Sequence, residues 1–524
     1  MIKIIRANLL ICFFISGFFF AAFFSSCKNY HRNSTHKDVS ISSIEKGEAL
    51  AKIYCQSCHV LPDPSMLDTK TWEKGVLPEM GPRLGIFNFG FEIYPIVKDK
   101  NIGPGFYPSL PEISLNDWQN ILDYFIATSP DSLPTQKRKH KIKTGLPLFK
   151  VEVPAFNYAN PATCYVKINS SDSLHPVIIS DALLQNLYFI NKEFQITDSI
   201  MGSGVVVNID FTKNNLIACN IGVLNPNNGK FGKGSLLNFN TKAQLQKEPI
   251  TLLDSLQRPV QITSTDLNND GKEDYVICEF GYLTGALTWE ENLGNHNFKR
   301  HILRESPGAI KVYIQDVNHD GLPDIWALFS QGEEGIFLFT NKGNGNFDQE
   351  EVLRFPPSYG SSYFELADFN KDGYPDIIYT CGDNADYSPV LKPYHGVYIF
   401  MNDKTNHFNQ KYFFPINGCY KAIARDYDGD GDLDIATISF FADYARQPEE
   451  GFVYLKNNGS FDFQPYSIAE ANNGRWLTMD AGDIDGDGKT DIILGNFSIG
   501  PTMMKHNADW KHSPPFIILK NTGK

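Results

Sequence analysis

Two cysteines three residues apart, with a histidine directly behind the second, form the stretch Cys55-Gln56-Ser57-Cys58-His59. Thiols at this spacing add across the two vinyl groups of a haem, and the trailing histidine is then held as the proximal ligand to iron. A zinc half-site or a redox dithiol uses the same pair of thiols. No second C-x-x-C or H-x-x-x-H lies nearby to complete a zinc site, and a dithiol has no need of the histidine. The motif therefore predicts covalent haem c on Cys55 and Cys58, with His59 on the iron.

A second set of chemical residues recurs five times, its copies starting 50 to 58 residues apart. Positions 1, 3, 5, 7 and 9 are Asp266, Asn268, Asp270, Lys272 and Asp274 in the first copy, then Asp316, Asn318, Asp320, Leu322 and Asp324. The third copy has Asp368, Asn370, Asp372, Tyr374 and Asp376, and the fourth Asp426, Asp428, Asp430, Asp432 and Asp434. The fifth has Asp483, Asp485, Asp487, Lys489 and Asp491. Side-chain oxygens at 1, 3, 5 and 9, with the backbone carbonyl at 7, wrap a hard cation such as Ca2+. Glycine at position 6 takes the sharp turn. An EF-hand needs a bidentate glutamate at position 12 and flanking helices. Position 12 is Ile277, Ala327, Tyr379, Thr437 or Leu494, inside runs of β character, so EF-hands are excluded. Polar turns without metal are the other reading. Carboxylates this dense repel one another unless a cation sits among them.

The elements that must position the first site are helical. Ile44 to Tyr54 reads as an amphipathic helix running into the motif, and Leu115, Trp118, Ile121, Leu122 and Phe125 recur at helical spacing behind a cap at Ser114 or Asn116. Between them lie two methionines, Met66 and Met80. Met66 is too close to His59 to reach the opposite side of an iron. Met80, in an irregular loop fixed by Pro78, Gly81 and Pro82, is the expected distal ligand. The alternative is a packing methionine, with a histidine or water on the iron.

The five acidic loops each precede an apolar strand, then a second strand ending near Asn-x-Gly, then a Phe and a further strand. Leu287 to Gly294 with Phe298 is one example, and Ile336 to Gly343 with Phe347 another. Four strands per unit is the content of a propeller blade. Two weaker copies, around Asp210 and around Ser170 to Val177, bring the units to seven. The last unit lacks an outer strand, and Gly145 to Val153 matches the missing piece. The expected fold is mainly β: a seven-bladed β-propeller over 148–524, closed by its own N-terminal strand, behind an all-α domain at 44–130. Residues 131–147, with the basic run Lys137 to Lys141, read as a solvated linker, a membrane or partner contact being the alternative.

The N-terminus carries Lys3 and Arg6, an apolar run from Leu9 to Phe24, and Ser25-Ser26-Cys27. It resembles a bacterial lipoprotein signal (1–26) with lipid on Cys27, followed by a flexible tether over 27–43. A plain signal peptide or an uncleaved anchor is the alternative. The expected location is outside the cytoplasm, lipid-anchored to a bacterial membrane and facing the periplasm or the cell surface. The formal charge of −13 argues against nucleic acid as a partner. The remaining cysteines (Cys164, Cys219, Cys278, Cys381 and Cys419) are scattered and odd in number, and read as buried strand thiols.

On these loops and strands the segment 148–524 resembles the FG-GAP/VCBS repeat family, and 44–130 resembles class I cytochromes c. Their combination is similar to lipoproteins of Bacteroidetes-type bacteria. The first resemblance implies structural calcium but no single activity, since its members include adhesion modules, lectin-like binders and some carbohydrate lyases. Long insertions at Cys381 to His395, Phe440 to Arg446 and Met503 to His512 offer a rim for a glycan or small-molecule ligand. No G-x-S-x-G, H-E-x-x-H or P-loop specifies an enzyme class. Three functions stay open. One is an electron-transfer protein with a redox partner, its propeller docking a partner or ligand. The second is a sugar or alcohol dehydrogenase with the cytochrome as acceptor, and the third a glycan-binding propeller.

Overall fold

The computed structural model describes residues 30–211, 216–238, 245–246, 248–385, 387–500 and 508–523. Cys27, the signal segment before it and Met503 to His506 lie outside the described residues. Seven antiparallel sheets follow one another in the chain. Blades 1 to 6 span Thr163–Ile200, Val206–Leu256, Pro259–Arg304, Ala309–Phe355, Ser361–Pro415 and Cys419–Ser467. Blade 7 takes Trp476–Gly482, Asp491–Asn496 and Phe516–Asn521 from the C-terminal end, and Phe149–Glu152 from the other side of the ring. The borrowed strand pairs antiparallel with the last one, Ile518 opposite Glu152 and Asn521 opposite Phe149. The expected closure is therefore present, and it removes the exposed edge that an open ring would leave.

Second strands show why the fold holds. Asp274–Glu279, Asp324–Phe329, Asp376–Cys381, Asp434–Ser439 and Asp491–Asn496 are buried at every residue. Each blade is covered on both faces by its neighbours, so its central strands lose the alternation of a half-buried strand. The fourth strands, such as Asn297–Arg304, stay largely exposed at the rim. Because strands alternate in direction, the hairpins between first and second strands open on one face of the ring. Connections between second and third strands, and between blades, open on the other.

Two helices head a separate module. Helix α1 (Ile41–Tyr54) starts at Ser40, whose hydroxyl accepts from the Ser43 amide, and α2 (Leu115–Thr128) at Ser114, which accepts from Asp117. They cross closely at Gly47, where a Cβ would come within 1.9 Å of the Asn120 carbonyl oxygen. Ala51, Trp72, Trp118, Ile121 and Phe125 form the core beneath.

Three expectations need correction. The segment after Cys27 is not a free tether in its described part. Asn33 is 4% exposed, and its amide donates to Thr69 Oγ1 and to the carbonyls of Ile126 and Ser129. Met80 does not lie in an irregular loop. Short helical turns succeed one another through Leu77–Met80 and Gly81–Leu84, with Pro78 and Pro82 in first turns, where a missing N–H costs nothing. Gly85, at φ 74°, ends the run. Nor is 131–147 a solvated spacer. Lys143–Thr144 adds a parallel fifth strand to blade 6. Arg138 pairs with the fully buried Glu450 and donates to the Pro415 carbonyl at 2.8 Å. The basic run reads as solvated only while its buried acidic partner is invisible.

Candidate functional site

Cys55 caps the C-terminus of α1, its amide donating to Ala51. This end of the helix presents Cys55, Cys58 and His59 in succession, with both thiols free. Burial pushes the Cys55 thiol up to about 12, so it is held as a thiol. Burial also lowers the His59 pKa, and the charge of Arg354 adds to this, so the neutral imidazole is favoured. His59 Nδ1 lies 2.8 Å from the Val60 carbonyl. A donor proton on Nδ1 fixes the tautomer and leaves Nε2 as the ligand nitrogen. Met80 packs against the same apolar cluster as Cys55. Met66 is committed elsewhere: its carbonyl accepts from Tyr394 at 3.0 Å and its sulfur lies 3.6 Å from Ser358 Oγ. This donor set fits a haem c.

The acidic loops join first to second strands and share one geometry. The position-1 carboxylate accepts from the amide at position 6 in every copy, as Asp266 does from Gly271 at 2.8 Å. The position-7 amide donates to the carboxylate at position 5, as from Lys272 to Asp270 at 3.0 Å. Position 4 takes positive φ, at Asn269, His319, Lys371, Gly429 and Gly486. Position 9 is buried in all five; in four its carboxylate bridges two backbone amides, and in the fourth copy Asp434 accepts from the Asn457 amide and the Tyr454 hydroxyl. Asp376, for instance, accepts from Phe369 and from Asn402. Burial raises the pKa of these aspartates, that of Asp434 to about 6. Carboxylate oxygens of Asp426, Asp428 and Asp430 converge within 4.8 Å of one another, as do those of Asp483, Asp485 and Asp491. The chemistry of these donors fits a hard cation. Asp210, read as a degenerate first position, is instead part of the strand Val206–Phe211, where it accepts from Ser264.

The insertions expected to form a ligand rim are largely used internally. In the first, Tyr394 holds Met66, Val390 packs on the core of the helical module, and the carbonyls of Lys392 and His395 accept from Gln136. The Tyr387 carbonyl lies against Gly75 so closely that a Cβ there would stand 2.4 Å away. A second attachment joins Asp99 to the backbone and side chain of Asn228, in blade 2. Blades 2 and 5 are three apart in a ring of seven, so the module reaches across the face opposite the acidic loops. In the second insertion Phe440, Phe441 and Tyr444 are buried. Trp510 of the third packs on Tyr444 at 4.6 Å, while Lys511 and His512 stay exposed.

A family model described as an FG-GAP-like repeat matches residues 266–327, 316–379 and 440–494. The propeller thus contains FG-GAP-like repeats at these residues. Cartilage acidic protein 1 of Mus musculus is 28% identical over 179 residues, which is 32% of this chain and 26% of that protein. A T-cell immunomodulatory protein homolog of Plasmodium falciparum is 25% identical over 161 residues, 28% of this chain and 22% of that one. The chain thus spans about a quarter of the length of these curated relatives. The solved structure of Saccharomyces cerevisiae Sqt1 aligns at 8% identity and a TM-score of 0.41, covering 70% of this chain and 97% of that one.

Sequence pattern did not draw attention to the first strands, which line the channel. Five residues before the first aspartate of a loop stand Lys311, Tyr363 and Lys421 in successive blades. That register was the available signal.

Proposed function

We propose that the chain is an exported, lipid-anchored electron-transfer protein, with haem c on its helical module and a calcium-braced propeller that binds a partner or ligand. The observation that carries this reading is the end of α1: two free thiols, then a histidine whose Nδ1 is satisfied by the Val60 carbonyl. Cys55 and Cys58 would hold the macrocycle, and His59 and Met80 the iron. Once bound, haem supplies a one-electron couple at its iron. The chain's own contribution is to keep His59 neutral and oriented, and to surround the site with the apolar cluster of Trp72, Leu77 and Phe125. Calcium would sit in the five acidic loops, where it neutralises carboxylates that otherwise crowd one another. Cys27 would carry the lipid.

Docking of the module on the propeller face favours a second reading. In it the propeller oxidises a sugar or alcohol and the module accepts the electrons, which requires an organic redox cofactor in addition. Reductive titration of the periplasmically matured protein tests the proposal. The expected result is reversible uptake of one electron per chain, lost in Cys58→Ala. No uptake would overturn the electron-transfer role, while uptake beyond one electron, with an extractable organic cofactor, would favour the enzyme.

A further inference from the structure

The channel at the centre of the propeller carries more charge than its structural pairs use. Each first strand breaks register at one place, as between Ala309 and Lys311, Ser361 and Tyr363, and Cys419 and Lys421. Such a bulge re-aims the side chain that follows it. The residues so placed meet across blades: Tyr363 lies beneath two ammonium groups, Lys421 Nζ at 4.9 Å and Lys311 Nζ at 5.9 Å from its ring centre. Its hydroxyl is 3.0 Å from that of Tyr313.

Nearby carboxylates have other partners, although Asp480, Glu365 and Asp210 still act on Lys311 through space and one Glu365 oxygen makes no hydrogen bond among the described residues. Asp480 holds Lys167 at 3.0 Å and the Ile168 amide at 2.8 Å. Glu365 pairs with Arg425, and Asp210 accepts from Ser264. Lys421 donates to the Met479 carbonyl, a neutral acceptor, at 2.7 Å. Lys311 has no hydrogen-bond or ion-pair partner among the described residues; its contacts are the rings of Tyr313 and Tyr363. Both lysines are half-buried, and burial lowers the pKa of each. Holding two ammonium groups over one ring, neither in a direct ion pair with a carboxylate, is costly unless an anion joins them.

We propose that this end of the channel is a binding site for a small oxyanion, a carboxylate or a phosphate, held between Lys311 and Lys421 and bordered by the hydroxyls of Tyr313 and Tyr363. The site is independent of the haem and calcium readings and stands or falls without them. Isothermal titration of the full matured chain with inorganic phosphate, and separately with malonate, tests it. One saturable site per chain is expected for at least one probe, and the tighter of the two identifies the class. Lys311→Gln should weaken that binding at least about tenfold. Because Lys311 makes no hydrogen bond, this variant should keep the wild-type melting midpoint, and Lys311→Arg should retain most of the affinity. No saturable binding of either probe, or binding unchanged in Lys311→Gln, would overturn the proposal.

Discussion

The two faces of the propeller are built by opposite rules. On one, five loops repeat a single arrangement, with carboxylates at fixed positions and a buried ninth residue that bridges two amides in four copies. On the other, the connections vary widely in length, and the insertions of blades 5 and 2 are spent on holding a helical module through Tyr394, Val390 and Asn228. Repetition serves a bond that five blades share, the brace from the second strand to the third. Irregularity serves a contact made once. The irregular face is therefore the place for the helical module, and the acidic face is the one proposed to hold cations.

Substitution of Arg138 should break the irregular side most severely. Arg138→Ala leaves Glu450 fully buried with its charge uncompensated, a loss of about 3 kcal/mol read as a shift in the denaturation midpoint. Calcium removal acts on the other face. EDTA should lower the propeller's melting temperature, and calcium at about a hundredfold its dissociation constant should restore about 2.7 kcal/mol per site. An unchanged melting curve would reduce the loops to polar turns. Asp376→Ala removes the acceptor for two buried amides and should cost about 2 kcal/mol, with the amides of Phe369 and Asn402 exchanging faster. The smallest effect belongs to Tyr394→Phe, which loses the hydroxyl bonds to the Met66 and Ser358 carbonyls. About 1 kcal/mol is expected, seen as faster amide exchange around Met66 without change at the acidic loops.

Features that repeat were legible in the sequence. Seven units, four strands each and the closing strand at Phe149 all follow from recurrence and alternation; position 9 read only as a cation ligand, and its bonds to backbone amides were not legible. The C-x-x-C-H motif was legible because its chemistry is local. What was hidden depends on partners far away in the chain. Arg138 reads as solvated until Glu450 is seen, and Asn33 as tether until Thr69 and Ser129 surround it. The insertion from Cys381 to His395 has the composition of a ligand rim, yet its aromatic and charged residues serve an internal contact. Pro78 and Pro82 suggested a loop around Met80, but both fall in first turns, where helices accept proline.

The most direct test of the account is an absorption spectrum of the periplasmically matured protein, oxidised and reduced, with a pyridine haemochrome after denaturation. The prediction is one covalently held c-type haem per chain, with the weak methionine–iron band in the oxidised form and its loss in Met80→Ala. A denatured protein that carries no covalent haem would contradict the account at its centre, leaving a propeller whose helical module serves some other purpose.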